Sequence, residues 1–193
     1  MYKKFLTEGL VLGKYPVGEA NVSVLLFTKE LGLLRATARS ARAERSKLRY
    51  GLEPFTRGAF SLIRGKNDWR LAGVDRGDRA LLLCTSSRRQ SMGRIARLLL
   101  RLIQGEEVNG LLYKDVTEGF SFLTNAQSEV DAASIECIVV LRILSRLGYL
   151  SQTPEISHFL EGDFSSIGFA AQAAHARAQL VRLINDSLSA TGL

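Results

Sequence analysis

The chain has 193 residues, 46% of them hydrophobic, and carries a formal net charge of +7 at pH 7. This is the composition of a folded globular protein, and no apolar run reaches the roughly 20 residues needed to cross a bilayer. The N-terminus also lacks the continuous apolar core of a secretory signal peptide. We therefore predict a cytoplasmic protein, and the positive charge favours nucleic acid over an acidic membrane surface as its partner.

Five segments in the N-terminal part show the alternation of apolar and polar residues that is typical of half-buried strands. Turn-forming residues separate them, for example Pro16 with Gly18 and Gly65 with Asp68. Five short strands without a long helix between them suit a small closed barrel. The predicted strands are residues 5–13, 21–27, 33–39, 55–64 and 69–74.

The third predicted strand leads into a basic segment, residues 35–49, which holds six lysines and arginines against one acid, Glu44. Arginines that alternate along a strand often only form its solvent-exposed face. Cations crowded into a loop, however, repel one another unless an anion lies among them. A phosphate backbone would be such an anion, so we predict that this segment binds nucleic acid. The candidate residues are Arg35, Arg39, Arg42, Arg45, Lys47 and Arg49, with Arg64 and Lys66 around a nearby turn.

Aromatic side chains could add to binding by stacking on bases. Tyr50, Phe55 and Trp69 are the candidates in the N-terminal part. Because aromatic residues on barrel strands more often belong to the core, we favour the core for Trp69.

The charge is divided unevenly along the chain. Residues 1–80 hold 16 lysines and arginines against 8 acids, whereas residues 81–193 hold 10 against 11. We therefore predict a basic nucleic-acid-binding domain over residues 1–80 and a second domain over residues 81–193.

The second domain is predicted to be an all-helical bundle. Its first helix begins near Thr85 with capping residues and ends before Gly105. Three further helices are predicted over about residues 111–123, 131–147 and 169–188, with an irregular stretch before the last one.

The first of these helices carries a row of arginines opposite its apolar face, namely Arg94, Arg97 and Arg101. Such a row is usually a solvated face. Beside an apolar groove it could instead hold an acidic, hydrophobic peptide tail of a partner protein.

No arrangement of residues indicates catalysis. Acidic residues are scattered singly apart from Glu106 and Glu107, and no glycine-rich loop for nucleotide phosphates is present. Cys84 and Cys137 are isolated in the sequence, and we predict that both are buried thiols. The histidines, His158 and His175, have no second metal-ligating residue at the spacing that metal sites use. We predict a protein that is not an enzyme and has neither a metal nor a cofactor.

Several short motifs occur in a specific order over residues 1 to about 80, namely Glu8–Leu12, Gly18–Asn21, Leu26–Gly32, Ala38–Arg42 and Leu52–Phe55. Together they resemble the RecO family of bacterial recombination mediators. Further along, Leu141–Tyr149 is similar to the buried helix of that family that ends in Leu-Gly-Tyr.

The resemblance implies an N-terminal OB-fold barrel and a C-terminal helical domain. It also implies binding of single- and double-stranded DNA, annealing of complementary strands, and association with the nucleoid in the bacterial cytoplasm. The expected partners are RecR and the C-terminal tail of the single-strand binding protein, with which the protein would help to load a recombinase onto DNA. Many members carry a four-cysteine zinc module after the Leu-Gly-Tyr segment, but residues 151–164 of this chain contain no cysteine, so no zinc is expected.

Two alternatives remain open at the level of sequence. The chain could be an adaptor whose helical domain docks partner proteins, with only incidental contact to DNA. It could also be an RNA-binding barrel protein, because the barrel alone does not distinguish RNA from DNA.

Overall fold

The computed structural model describes residues 3–66, 68–75, 84–125, 131–166 and 168–190. The strands are β1 (Lys3–Val17), β2 (Asn21–Thr28), β3 (Gly32–Ala38), β4 (Arg57–Arg64) and β5 (Trp69–Val74). A short 3-10 helix, Arg49–Leu52, precedes β4. The helices are α1 (Ser86–Leu102), α2 (Gly110–Asn125), α3 (Ala132–Arg146), α4 (Pro154–Glu161) and α5 (Phe169–Ala190).

The five strands form a closed barrel in the order β1-β2-β3-β5-β4. Strands β3 and β5 are parallel, and the other neighbouring pairs are antiparallel. This is the arrangement of an OB-fold, in which a Greek-key barrel leaves no long free edge. The predicted fold class, a five-stranded OB-fold barrel followed by an all-helical part, is confirmed.

Strand β1 closes the barrel because it pairs with two neighbours. Its first half, from Lys3 to Leu10, pairs with β4, and the stretch from Gly9 to Val17 pairs with β2. The register with β2 shifts between Val11 and Gly13. Such a bulge bends a strand and increases its twist, which lets one strand follow the curve of the barrel from one neighbour to the other.

The barrel core follows the predicted alternation. On β3, Leu34 and Ala36 are buried whereas Arg35 between them is exposed. Trp69, the first residue of β5, is only 4% exposed, so the expectation that it belongs to the core is confirmed. Phe5 packs edge-on against its ring at 5.2 Å between centroids.

The bounds of the first four predicted strands differ from the observed ones, and the backbone explains the difference at two of these ends. Strand β1 continues past the predicted turn at Pro16 to Val17, because the chain reverses at Gly18, which has a φ of +60°. Strand β4 begins at Arg57 rather than Phe55, because Phe55 has a φ of +69°, which a strand cannot include.

The contacts divide the chain into two compact units. The barrel unit contains the described residues within Met1–Leu82 together with Leu100–Tyr113, and the helical unit contains those within Leu83–Leu99 and Lys114–Leu193. Within the described residues, none of the helices is both long and apolar enough to cross a bilayer.

Helix α4 was missed by the sequence analysis, which predicted an irregular stretch there. It begins with Pro154 in its first turn and buries Ile156, Phe159 and Leu160, a spacing of three and four residues that a helix brings to one face. The helical spacing of these apolar residues is present in the sequence, but a segment of eight residues is too short for the periodicity to distinguish a helix from a loop.

The helical unit is organised around a buried arginine on α3. Arg142 is 2% exposed and its Nε donates to the carbonyl oxygen of Phe159 at 2.9 Å, while Nη2 donates to that of Gly162. Its Nη1 lies 3.4 Å from Oδ1 of Asp115 on α2, and Arg146 donates from Nε to Oδ2 of the same carboxylate at 2.7 Å. Burial lowers the pKa of Arg142, whereas the charge of Asp115 opposes that change. This one guanidinium therefore links α2, α3 and the end of α4.

Replacing Arg142 should strongly destabilise the helical unit. Arg142→Ala leaves two carbonyl oxygens without their donor and removes one of the two positive partners of a buried carboxylate. We expect a loss of about 3–5 kcal/mol in the free energy of unfolding, measured by urea denaturation. The exposed Arg182 on α5 is the matched control, and Arg182→Ala should change stability by no more than about 0.5 kcal/mol. Equal effects of the two variants would contradict this assignment.

Tyr113 makes the stability of the barrel unit depend on pH. The residue is 3% exposed and its ring lies 5.5 Å from that of Phe27, and burial raises its pKa from 10.0 to about 12. Between pH 10 and pH 12 the unfolded chain loses the phenol proton, whereas the folded chain keeps it. The contribution of Tyr113 to the free energy of unfolding is therefore fully present below pH 10 and is lost as the pH rises towards 12. The loss should be on the order of 2 kcal/mol. Tyr113→Phe should abolish this part of the decline when unfolding is compared at pH 9 and pH 11.5.

Candidate nucleic-acid interface

The outer face of strand β3 presents a row of basic side chains. Arg35 is exposed and points away from the core, and Arg39 is exposed just after the strand ends. On the adjacent strand β5, Arg70 pairs with Thr37 across the parallel ladder, which puts Arg70 on the same outer face. The sequence analysis did not single out Arg70, although the inward positions of Trp69 and Leu71 on either side would have placed it there.

The backbone of the basic segment is fixed to the hairpin between β1 and β2. The backbone N–H of Ser40 donates to Oδ1 of Asn21 at 2.9 Å, and that of Arg42 donates to the carbonyl oxygen of Ala20 at 3.0 Å. The side chain of Arg42 returns to the same hairpin, where its Nη1 lies 3.3 Å from the carbonyl oxygen of Gly18. The segment therefore presents its cations from an anchored loop.

Most of the predicted binding residues carry a positive charge that no acid offsets. Within residues 3–66 and the other described ranges, seven of the eight candidates are exposed and form no ion pair. They are Arg35, Arg39, Arg42, Arg45, Lys47, Arg49 and Lys66. Because like charges at the surface repel one another, this arrangement becomes more favourable when an anion binds.

Arg64 differs from the other candidates because it already has an acidic partner. Its Nη1 forms an ion pair with Oε2 of Glu106, and Oε1 of the same carboxylate accepts a hydrogen bond from Nε1 of Trp69 at 2.8 Å. The guanidinium carbon of Arg64 lies 4.7 Å from the centroid of the Trp69 ring. These three residues belong to the barrel unit and form a closed polar cluster, so the charge of Arg64 is less available to an external anion than that of the unpaired candidates.

A cavity of about 520 Å³ lies between the β1–β2 hairpin and the basic segment. Sequence reasoning had named two of its lining residues, Arg42 and Arg49, but not Lys14 and Tyr15 beside them. Its other lining residues are Pro16, Val22, Ala41, Leu52 and Glu53. The carboxylate of Glu53 binds Nζ of Lys14 at 2.7 Å.

The three arginines predicted on α1 do not share one environment. Nε and Nη2 of Arg94 donate to the carboxylate of Glu136 at 2.6 and 2.5 Å, and these hydrogen bonds raise the pKa of Arg94. Arg94 also borders an apolar groove of about 440 Å³ in the helical unit. Arg97 lines a different hollow, which Arg94 also borders, and Arg101 is exposed in the last turn of the helix and lines neither.

The two cysteines are buried, as expected from their isolation in the sequence. Burial raises the pKa of Cys84 and raises that of Cys137 to about 11, so both thiols stay protonated at neutral pH. Within the described part of the chain, no three histidine, cysteine, aspartate or glutamate side chains are grouped so that they could hold a metal ion.

The barrel and the helical part define a class: an OB-fold protein with a helical C-terminal part and a basic loop on the barrel. Residues 1–76 match the family described as Recombination protein O N terminal. The N-terminal part of the chain thus carries the N-terminal domain of the RecO family.

Curated relatives agree with this assignment over most of the chain. The DNA repair protein RecO of Heliobacterium modesticaldum is 27% identical over 157 residues, which cover 81% of this chain and 55% of the relative. The protein of the same name from a Synechococcus species is 26% identical over 170 residues, or 88% and 56% of the two chains. That of Actinobacillus succinogenes is 30% identical over 144 residues, or 74% and 58%. The match thus spans a little over half the length of these relatives.

The cluster around Glu106 can be tested through Trp69, which is the single tryptophan of the chain. Glu106→Ala removes the acceptor for the indole N–H and the partner of Arg64, so we expect Trp69 emission to shift to longer wavelength. The free energy of unfolding of the barrel unit should fall by about 1 kcal/mol. The neighbouring exposed Glu107 provides the control, and Glu107→Ala should leave the emission unchanged. An unshifted spectrum in Glu106→Ala would show that this hydrogen bond does not order the indole.

Proposed function

We propose that this protein is a non-catalytic DNA-binding protein of recombinational repair that binds single- and double-stranded DNA and promotes annealing of complementary strands. The observation that carries the proposal is the group of exposed cations without acidic partners on the barrel unit. The match to the RecO family and the names of the relatives, which are DNA repair proteins, support the same conclusion. In this proposal residues 1–80 bind DNA and residues 81–193 serve partner proteins, and the protein acts at the nucleoid in the bacterial cytoplasm.

The proposed mechanism is neutralisation of phosphate charge. Arg35, Arg39 and Arg70 would lie along one strand of DNA, and the anchored loop with Arg45 and Lys47 would extend that contact. Lysine and arginine contacts to phosphate do not read base identity. Because phosphate repulsion opposes the approach of two strands, a protein that lowers it on both can promote annealing without consuming a nucleotide.

The groove in the helical unit supports a second role, the capture of a partner peptide. Its apolar walls include Leu98, Val140 and Val181, and the cations Arg94 and Arg177 stand at its border. Each of these arginines also contacts an acid of the chain, Glu136 and Asp131 respectively. We propose that this groove receives the acidic, hydrophobic C-terminal tail of the single-strand binding protein. Binding of RecR is a further part of the proposal that follows from the family alone.

The DNA-binding proposal predicts a steep dependence on salt. If about six cations contact single-stranded DNA, the logarithm of the binding constant should fall against that of the salt concentration with a slope of roughly −4. The double variant Arg45→Ser/Lys47→Ser should reduce the slope to roughly −3 and weaken binding and annealing roughly tenfold at 0.1 M salt. Lys114 and Arg182 are exposed cations of the helical unit, so Lys114→Ser/Arg182→Ser changes the charge equally and should have little effect.

The same variants separate the competing functions. The loop variant Arg45→Ser/Lys47→Ser could keep full DNA affinity while the binding of partner proteins depends on the groove in the helical unit. That result would favour the adaptor function and refute DNA binding through this loop. A slope near zero for the unmodified protein would reject the proposal altogether. Stronger competition by an RNA oligomer than by DNA of the same sequence would assign the barrel to RNA.

A further inference from the structure

We propose that single-stranded DNA crosses the outer face of the barrel between β1 and β5, and that Tyr15 on β1 stacks on one of its bases. The track runs across the strands, from Tyr15 to Arg70. This inference rests on the proposed DNA binding and adds to it the path of the DNA and the form of DNA that the barrel distinguishes.

The strand register places Tyr15 in one row with residues of three other strands. Tyr15 pairs with Ser23 on β2, Ser23 pairs with Thr37 on β3, and Thr37 pairs with Arg70 on β5. Residues that are paired in this way point to the same face of a sheet. Ala36, next to Thr37, is fully buried in the core, so the row lies on the outer face. Neighbouring strands are about 4.8 Å apart, which makes the row about 14 Å long.

The ring of Tyr15 lies back along β1 over Gly13, which has no side chain to fill the space. An added Cβ on Gly13 would be 3.7 Å from the phenol oxygen and 3.8 Å from both Cε2 of Tyr15 and Cδ1 of Leu25. Gly13 pairs with Leu25 and Leu25 pairs with Arg35, so the ring lies on the outer face that also carries Arg35. Tyr15 is still 51% exposed, which leaves part of the ring for a base. Stacking of this kind accepts any base.

The charges beside the ring determine where the phosphates lie. Arg35 is two strands away from Gly13, a distance of about 10 Å, and Arg70 is at the far end of the row. Neither arginine forms an ion pair with another described residue. On the other side, the tip of the hairpin between β1 and β2 carries the exposed acid Glu19, which repels a phosphate. The DNA backbone is therefore expected over β3 and β5, with the base turned towards β1.

The open part of this face ends where another side chain covers the barrel. Phe27, further along β2 on the same face, is 1% exposed, and the ring of Tyr113 packs against it at 5.5 Å between centroids. Tyr113 belongs to the same compact unit as the barrel. The track thus lies at the end of β2 next to the hairpin, to which the basic segment is also anchored.

A base within a duplex cannot stack on Tyr15. Both of its faces are already stacked on its neighbours, so the contact would require the free energy of unpairing and unstacking. The exposed cations of the basic segment, in contrast, can contact phosphates of either form of DNA. The tyrosine would thus give the barrel a preference for single strands that charge alone does not provide.

The test compares Tyr15→Ala with Tyr15→Phe, which keeps the ring. Tyr50→Ala is the matched control, because Tyr50 is also an exposed tyrosine, at 70% exposure, but lies in the 3-10 helix and not on the strands of the track. Affinities of the full chain are measured for a 12-residue single strand and for its duplex over a range of salt concentrations. The fluorescence of 2-aminopurine in the single strand reports stacking.

We expect Tyr15→Ala to weaken single-strand binding about tenfold, which is about 1.4 kcal/mol. Because the substitution changes no charge, duplex affinity and the salt slope should stay the same. Tyr15→Phe and Tyr50→Ala should bind like the unmodified protein. The quenching of 2-aminopurine should be lost only in Tyr15→Ala.

Other results would overturn the inference in recognisable ways. Unchanged single-strand affinity in Tyr15→Ala, with normal salt-dependent DNA binding, would refute the stacking site and leave the proposed function intact. Quenching that is lost in Tyr50→Ala but kept in Tyr15→Ala would move the stacking to the basic segment. Salt-independent or absent DNA binding by the unmodified protein would refute the proposed function and the inference together.

Discussion

The bend in strand β1 is the constraint on which the barrel unit depends. One strand hydrogen-bonds to β4 along its first half and to β2 along its second, and the register shift between Val11 and Gly13 allows it to turn from one to the other. The hairpin that follows carries the acceptors to which the basic segment is tied, at Gly18, Ala20 and Asn21. The bend in β1 therefore positions the hairpin, and the hairpin in turn positions the cations of the basic segment. The cavity between the hairpin and the segment depends on the same bend.

The chain uses arginine in two physically opposite ways. Arg142 is removed from water and has an acid, two carbonyl oxygens and an aromatic ring around it, because a buried charge without partners is very unfavourable. Arg35 and Arg45 remain in water and have no acidic partner in the described part of the chain. The first arrangement holds helices together, and the second leaves positive charge at the surface. Arg64 lies between these cases, since it is exposed but already paired with Glu106.

Local patterns predicted the fold well, because strand alternation reports directly which face is buried. Strand β5 was predicted at its observed bounds, and Arg35 was placed outward from the spacing of Leu34 and Ala36. What could not be predicted depends on residues that are distant in sequence. The pairing of Arg64 with Glu106 spans 42 residues, and the cavity joins residues near 15, 42 and 52. No local signal encodes such proximity. The alternation along β5 could place Arg70 outward, but only the pairing of β5 with β3 shows that it lies beside Thr37.

The crowding of cations on the basic segment also bears on the protein without DNA. Dissolved ions screen the mutual repulsion of these side chains, since the Debye length is about 10 Å at 0.1 M ionic strength. Raising the ionic strength should therefore relieve electrostatic stress in the folded barrel while it loosens the grip on a polyanion. If the proposed function holds, the free and bound forms respond to ions in opposite directions, because the phosphates of bound DNA replace the counterions that surround the segment in its absence.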